Sequence, residues 1–353
     1  MKNQISNRIE TLDWLRGLMA LSIMFYHFIC FSFAPPDAST LFGRLGIYGV
    51  SIFFILSGLS MAIVYNKYII NLKTSVFFFI RRIFRIWPLL WCACIILIVP
   101  GLLIGITNWK IFLLNITTLF GFVKPSAYLA TGAWSIGNEM VYYFLTPLII
   151  ILYNFKKNFG DAFFLVTVLI GIYFSFVILS PNLSLDAQWK LYINPFNNFF
   201  LYVMGIAIFY NLRNFKIDNR LNICILLIII LLFAFSPFVG NQISIVTGVG
   251  RIFFVILSAL LVIGFYKMEI VLPKIIGLPL ENFGIATYGV YLMHPIIYFR
   301  LIPLLKRFLI SNVYLQICII ACLTIILAIL SYRIFEIRFI KIGKYLTSIK
   351  VKN

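Results

Sequence analysis

The first apolar stretch of the chain carries three ionisable side chains, Asp13, Arg16 and His27. An α-helix turns by about 100° per residue and therefore places all three along one stripe, with about 16 Å of rise from Arg16 to His27. An ionisable group inside a membrane is costly unless it is paired or faces a cavity. The shared stripe therefore favours a polar passage beside this helix. An Asp–Arg pair with a separate, hydrogen-bonded packing histidine is the alternative.

Three arginines, Arg81, Arg82 and Arg85, lie just before the apolar run that begins near Pro88. Their spacings of three and four residues place them on one face of a helix. Such a face can bind phosphate through forked, charge-assisted hydrogen bonds. It can equally contact anionic lipid. Taken alone, the cluster favours lipid contact.

Glu139 follows Asn138 near the start of another apolar run. Its predicted depth, about one turn below the outer surface, resembles that of His27. A carboxylate beside an imidazole would orient it or raise its basicity. The alternative is a negative charge that stabilises the N-terminus of a helix.

A later apolar run contains Tyr288, Tyr291 and His294, and Pro295 follows directly. The proline weakens the local helix and frees backbone carbonyls. Together with the imidazole and the two hydroxyls, these carbonyls suit a wet cavity near mid-membrane. A kinked packing helix explains the same residues.

Other charged residues have simpler interpretations. Arg44, Arg251 and Arg300 are predicted near the outer ends of their spans, where they would meet an acidic glycan or a pyrophosphate carrier, or act as snorkelling anchors. Arg333 and Glu336 are three residues apart and are expected to pair as a structural lock at the cytoplasmic surface.

The elements that carry these residues follow from composition. Of the 353 residues, 63% are hydrophobic and only 11% are charged, which is far from the balance of soluble domains. The sequence predicts an all-α polytopic membrane protein with about ten transmembrane helices, forming a single domain over 1–353 with no appended soluble domain. Its six cysteines lack the pairing expected of a metal site and are interpreted as packing residues.

Ten apolar segments are long enough, or nearly so, to cross a bilayer. The first is too long and lacks the cleavage site of a signal peptide, and the sixth is short. The run 111–122 is interpreted as an interfacial or re-entrant helix. The predicted spans are 12–33, 42–66, 86–106, 137–155, 162–180, 196–211, 221–238, 247–266, 284–303 and 313–332.

The net charge of +19 raises the question of nucleic-acid binding. The basic residues instead concentrate in alternate short loops, whereas the other loops hold only Lys110, Lys124, Lys190, Lys306 and Arg307. This asymmetry predicts that both termini are cytoplasmic and that the bilayer, not nucleic acid, is the main partner.

These motifs, in this order, resemble those of the acyltransferase-3 family of integral membrane acyltransferases, over nearly the whole chain. The motifs that carry the resemblance are Leu12–Gly17 with His27, Phe53–Gly58, Arg81–Pro88, Trp134–Tyr142, Thr287–His294 and Tyr332–Arg333. Two features differ: Ile337 and Arg338 follow Glu336 where the family usually has Lys-Pro, and the extra hydrolase-like domain of some members is missing.

The resemblance implies a multi-pass protein of the bacterial inner membrane that takes an acyl group, most simply acetyl, from cytoplasmic acyl-CoA. The acceptor would be a sugar hydroxyl of a cell-surface or lipid-linked glycan, and no metal is expected. The expected catalytic residues are His27, Glu139 and Arg16, the donor-binding residues are Arg81, Arg82, Arg85 and Asp13, and the candidates for the cavity are Tyr288, Tyr291, His294 and Asn138. His27 would act as a general base or form an acyl-histidine, with Tyr288, Tyr291 or Asn138 stabilising the oxyanion.

Two other classes of function are open on sequence alone. A transporter or flippase of lipid-linked sugars would move its substrate without consuming a thioester, and it would be expected to show repeat symmetry, which the sequence lacks. A non-enzymatic partner in polysaccharide assembly would tolerate changes at Arg16 and His27. The acyl group, the acceptor and the oligomeric state, including a homo-oligomer, are also left open.

Overall fold

The chain is helical throughout the part that the structure, a computed structural model, describes, namely residues 9–98 and 108–348. No strand occurs in these residues. The α-helices are α1 (Glu10–Ser32), α2 (Leu41–Tyr65), α3 (Leu72–Ile98), α4 (Trp109–Ile116), α5 (Phe120–Val123), α6 (Trp134–Phe155), α7 (Lys157–Tyr173), α8 (Trp189–Tyr192), α9 (Pro195–Leu212), α10 (Asn219–Phe235), α11 (Ile243–Val246), α12 (Gly248–Lys267), α13 (Lys274–Arg307), α14 (Val313–Ser331) and α15 (Ile337–Leu346). A π-helical turn extends α7 over Phe174–Ile178, and another joins α14 to α15 over Tyr332–Glu336. The all-α polytopic class is therefore confirmed.

Seven of the described helices are long and apolar enough to cross a membrane. An eighth crossing is present if Asp186–Tyr192 and Pro195–Leu212, which meet at 56°, act as one broken span. Each of the ten predicted segments overlaps a helix, although the end of the third, over 99–106, lies outside the described residues, and α3 begins well before that segment, at Leu72. The count of ten and the placement of the termini stay predictions.

The predicted interfacial helix over 111–122 is divided in two. Asn108 begins α4 by accepting a hydrogen bond from the backbone N–H of Lys110 at 2.9 Å. Thr118, at a φ of 58°, separates α4 from α5. Neither short helix has the length of a span, which agrees with an interfacial or re-entrant segment.

Two glycines let α2 and α9 approach each other closely. A Cβ atom added at Gly58 would lie 1.9 Å from the carbonyl oxygen of Tyr202, and one added at Gly205 would lie 2.0 Å from that of Ile55. Such small-residue contacts hold helices together in lipid, where no hydrophobic effect drives their association. The α2–α9 contact fixes one wall of the helical bundle.

A second close contact joins α1 to α13. A Cβ atom added at Gly284 would lie 2.5 Å from the carbonyl oxygen of Asp13, and one at Gly17 would lie 2.8 Å from the Cβ of Phe283. At the far end of the same pair, the hydroxyls of Ser32 and Tyr298 are 2.7 Å apart. The first and thirteenth helices therefore pack along most of the length of α1.

Arg44 and Arg251 have structural roles, so the interpretation as ligand-binding residues or snorkelling anchors is wrong for both. Arg44 is 1% exposed and donates to five backbone carbonyls, four of them in the last turn of α10 or just beyond its end, where helical carbonyls lack partners. Arg251 is also buried and donates to the side chain and the carbonyl of Asn197, both at 2.6 Å. Sequence position alone did not reveal these carbonyl partners.

We expect Gly205→Ala to lower the free energy of unfolding by about 1–3 kcal/mol, because the added methyl group would overlap the backbone of α2. Thermal unfolding in detergent measures the effect. Gly277→Ala, at the start of α13, is the matched control because its Cβ would meet nothing nearer than 3.7 Å. Equal unfolding temperatures for the two variants would contradict the close contact between α2 and α9.

Candidate functional site

A cavity of about 520 Å³ lies among α1, α2, α3, α6, α13 and α15 and is called the basic cavity below. Its ionisable, hydroxyl and tyrosine side chains are Asp13, Arg16, Ser57, Ser60, Tyr65, Arg81, Arg82, Arg85, Ser135, Glu139, Tyr143, Thr287, Tyr288, Tyr291, Tyr332 and Lys344. Most of the residues singled out in the sequence therefore line one space. Asn138, His27 and His294 do not line it.

Arg16 is held in the wall of the basic cavity by neighbours on α1 and α2. Its guanidinium donates to the carboxylate of Asp13 at 2.7 Å and to the hydroxyl of Ser60. The carbonyl oxygen of Leu56 lies 3.4 Å away. The predicted Asp13–Arg16 pair therefore forms, and it sits beside a cavity rather than in a packed interface.

The three arginines of α3 all line the basic cavity, but they are held differently. Arg81 donates to the hydroxyl of Thr347 at 2.6 Å, just after α15, and stacks over the ring of Tyr68 at 4.5 Å. Arg85 interacts electrostatically with the buried carboxylate of Glu336. The three arginines lie in the middle of α3 and not at a helix end as the sequence predicted, and they face the cavity and not only lipid.

Three aromatic rings surround the guanidinium group of Arg82. It donates to the hydroxyl of Tyr65 at 2.9 Å, and its Cζ lies 5.4, 5.9 and 5.8 Å from the ring centroids of Tyr65, Phe78 and Tyr143. Its Nε is buried and has no hydrogen-bond partner among the described residues. A planar guanidinium stacked in this way keeps its remaining N–H groups directed, which suits the binding of an anionic oxygen.

Glu139 contacts hydroxyl groups and not the imidazole of His27. Its carboxylate accepts hydrogen bonds from Ser57 and, at 2.5 Å, from Tyr143. Its charge also acts on Arg82. A similar predicted depth placed Glu139 beside His27, whereas the described contacts place it with the arginines of the basic cavity.

The two tyrosine hydroxyls and the asparagine amide proposed for an oxyanion hole already form hydrogen bonds within the protein. Tyr288 donates to the carbonyl of Ile86 at 2.8 Å. Tyr291 lies 2.9 Å from the carbonyl of Gly132 and 2.7 Å from the hydroxyl of Ser135. Asn138 is fully buried and donates to the carbonyl of Ile193 at 3.1 Å. Tyr288 and Tyr291 would each have to give up a bond to act on a substrate, whereas the Asn138 amide has a second N–H group.

His27 and His294 form a pair between α1 and α13. His27 Nδ1 and His294 Nε2 are 2.8 Å apart, and the two rings lie nearly parallel, with centroids 5.0 Å apart. The ring of Tyr291, which lines the basic cavity, is 6.3 Å from that of His294. The histidine pair therefore adjoins the inner end of the cavity, next to Tyr291, without lining it.

The expected pairing of Arg333 with Glu336 is wrong. Arg333 donates instead to the side chain of Asn282 at 2.8 Å, and Glu336 lies near the hydroxyl of Ser331, 3.4 Å away. The π-helical turn over Tyr332–Glu336 is the physical reason, because it changes the angular spacing on which a contact three residues apart depends.

The sequence did not identify several residues that hold the charged groups of the cavity. Ser60 and Tyr65 on α2, and Tyr143 on α6, hold the charged groups, yet in the sequence they are ordinary members of apolar runs. A helical count from Ser57 does indicate Ser60 as a neighbour on the same helix. Tyr143 lies four residues after Glu139, a spacing at which helical side chains meet.

Residues 9–333 match the acyltransferase-3 family, which is described as an acyltransferase domain. The chain belongs to the acyltransferase-3 family. No curated protein and no solved structure matches it. Since the match covers nearly all of the chain and the helices are of membrane-spanning type, this acyltransferase-3 protein is a multi-pass membrane acyltransferase.

We expect Arg82→Lys to destabilise the acyltransferase by about 1–2 kcal/mol, because lysine keeps the charge but loses the fork and the stacking on three rings. Arg213→Lys is the matched control, since Arg213 also lies over two rings, those of Phe209 and Tyr210, but is exposed and outside the cavity. Thermal unfolding in detergent compares the two. If the Arg82→Lys variant unfolds at the temperature of the unaltered protein, the aromatic rings around Arg82 do not stabilise the fold.

Proposed function

We propose that this protein transfers an acyl group, most simply acetyl, from cytoplasmic acyl-CoA to a sugar hydroxyl of a cell-surface or lipid-linked glycan in the bacterial inner membrane. The observation that carries the proposal is the basic cavity. It joins an arginine cluster at one end to the neighbourhood of a histidine pair at the other. An arginine cluster followed by a histidine pair matches a donor that has phosphates at one end and a reactive thioester at the other.

Donor binding follows from the charges. The phosphates of CoA would lie against Arg81, Arg82 and Arg85, because forked guanidinium groups bind phosphate in two-point geometry. Arg16 would meet the donor deeper in the cavity, with Asp13 fixing its orientation. Lys344 on α15 adds a further positive charge to the cavity lining. The uncharged pantetheine arm would then extend past Phe53 and Tyr291.

In the transfer step, His27 moves the proton from the acceptor hydroxyl to the leaving thiolate. An imidazole nitrogen takes the proton of the acceptor hydroxyl while the oxygen attacks the thioester carbonyl. The carbon–oxygen bond forms, the carbon–sulfur bond breaks, and the departing thiolate receives the proton from His27. An O-acyl sugar and free CoA thiol are the products. Glu139, in contact with Ser57 and Tyr143, serves the cavity by balancing the charge of Arg82.

The test combines thiol release with product analysis. Membranes that contain the protein are given acetyl-CoA, the free thiol is measured, and glycans from cells with and without the chain are compared by mass spectrometry. Thiol release together with an acetyl mass increase on a glycan supports the proposal. Movement of a lipid-linked sugar across the membrane without thiol release would contradict it and favour the flippase alternative.

We expect Arg85→Gln to raise the KM for acetyl-CoA about 10-fold, because one charge-assisted contact to phosphate is lost, while kcat changes little. Arg338→Gln is the control, since Arg338 is exposed and does not line the basic cavity. Because Arg85 also faces Glu336, thermal unfolding is measured for both variants. An unchanged KM in a folded Arg85→Gln protein would contradict donor binding at this residue.

We expect His27→Ala to abolish acetyl transfer to glycans while acetyl-CoA still binds, because the proton acceptor is lost and the arginines are untouched. Ser22→Ala, on the same helix, is the control, since among the described residues the Ser22 hydroxyl bonds only to the carbonyl of Leu18 in the preceding turn of that helix. Glycan acetylation in membranes is the measurement. Full activity in the His27→Ala protein would end the catalytic assignment.

A further inference from the structure

The hydrogen bonds of His294 fix which of its ring nitrogens carries a proton. Its Nδ1 lies 2.9 Å from the backbone carbonyl oxygen of Val290, one turn earlier on α13. A carbonyl oxygen only accepts hydrogen bonds, so Nδ1 carries the proton and donates it. In a neutral imidazole the other nitrogen, Nε2, is then a lone-pair acceptor.

Burial keeps His294 neutral. Its side chain is 0% exposed, and neither histidine contacts a carboxylate in the described ranges 9–98 and 108–348. A charged imidazole without water or a counter-ion is strongly disfavoured in such a place. The Nε2 of His294 therefore accepts a hydrogen bond from its neighbour rather than donating one.

The neighbour is His27, whose Nδ1 lies 2.8 Å from that acceptor. Because one of the two nitrogens must supply the hydrogen, Nδ1 of His27 is protonated. The Nε2 of His27 then holds the lone pair, and no described residue hydrogen-bonds to it. His27 is also partly exposed, unlike His294.

We propose that His294 is a positioning residue that holds His27 in the Nδ1–H tautomer and leaves Nε2 as the base for the acceptor hydroxyl. This inference rests on the proposed function of His27. When Nε2 takes the proton, the new positive charge spreads towards His294 through the same hydrogen bond. The departing thiolate then receives from His27 the proton that came from the acceptor hydroxyl, and both rings are neutral again. No other group gains or loses a proton.

The tautomer can be observed directly, because His27 and His294 are the only two histidines of the chain. The full-length protein is labelled with ¹⁵N-histidine, purified with a histidine-free affinity tag and studied by solid-state NMR in lipid. We expect each ring to show a protonated Nδ1 and an unprotonated Nε2, with a through-space contact between the two rings. A protonated Nε2 on His27 would overturn the proposal. The spectrum of the His294→Gln variant assigns the His27 signals.

Enzyme kinetics provide the second test. The side-chain oxygen of Gln can accept a hydrogen bond near the position of His294 Nε2, whereas Leu cannot. We expect His294→Leu to lower kcat at least about 10-fold with the KM for acetyl-CoA unchanged, and His294→Gln to recover most of that loss. Equal activities for the Gln and Leu variants would contradict the role of the acceptor.

Tyr298→Phe is the matched control for helix packing. Tyr298 lies one turn beyond His294 and links α13 to α1 through Ser32, so this substitution removes a different hydrogen bond between the same two helices. We expect its kcat to be near that of the unaltered protein. A loss as large as that of His294→Leu would assign the effect to helix docking and overturn the proposal.

The two hypotheses fail separately. If the NMR tautomer is as expected but membranes release no CoA thiol, the acyl-CoA reaction is wrong and the histidine geometry stands. If thiol release and glycan acetylation occur but the tautomer is reversed, the reaction stands and the role of His294 is wrong.

Discussion

The close approach of the α1 and α13 backbones at Gly17 and Gly284 is the contact on which the candidate site depends. Gly17 and Gly284 bring the two backbones together near the arginine end, and Ser32 bonds to Tyr298 near the other. The histidine pair lies between these two contacts. Since a hydrogen bond weakens steeply with distance and angle, two imidazoles contributed by different helices require this fixed spacing. Side chains larger than glycine at the close contact would move the rings apart.

The arginines of this protein divide into two groups with different physical roles. Arg44 and Arg251 are buried and donate to carbonyl or amide oxygens of the protein, so they hold loops and helix ends in place. Arg81, Arg82 and Arg85 line an open space, where aromatic rings and hydroxyls support the first two and the carboxylate of Glu336 faces the third. A guanidinium group that is not saturated by protein oxygens, such as that of Arg82 with its unpartnered Nε, retains N–H donors that can bind an anion.

Much of this arrangement could be predicted from local spacing. The helical repeat placed Asp13 and Arg16 on one face, and the same repeat collected the arginines of α3. Long apolar runs predicted the helices, because the backbone in lipid must satisfy its own hydrogen bonds. The pair of His27 with His294 could not be derived, since the residues are 267 positions apart. The sequence predicts how deep a residue lies in the membrane, but it does not predict which other helix the residue faces. The same limit explains why Glu139 was assigned to His27 and not to Ser57 and Tyr143.

Arg81 reaches Thr347 across 266 residues, and Lys344 completes the lining of the same cavity. The mouth of the cavity is therefore assembled from the third helix and from the segment at the end of the described chain. During synthesis, the histidine pair can form once α13 is inserted, but the mouth stays incomplete until α15 folds back against α3. A chain translated only as far as α13 would thus hold the histidine pair beside an incomplete basic cavity. The arginine end of the basic cavity is thus closed by a contact between residues 266 positions apart, and it forms only after α15 has folded against α3.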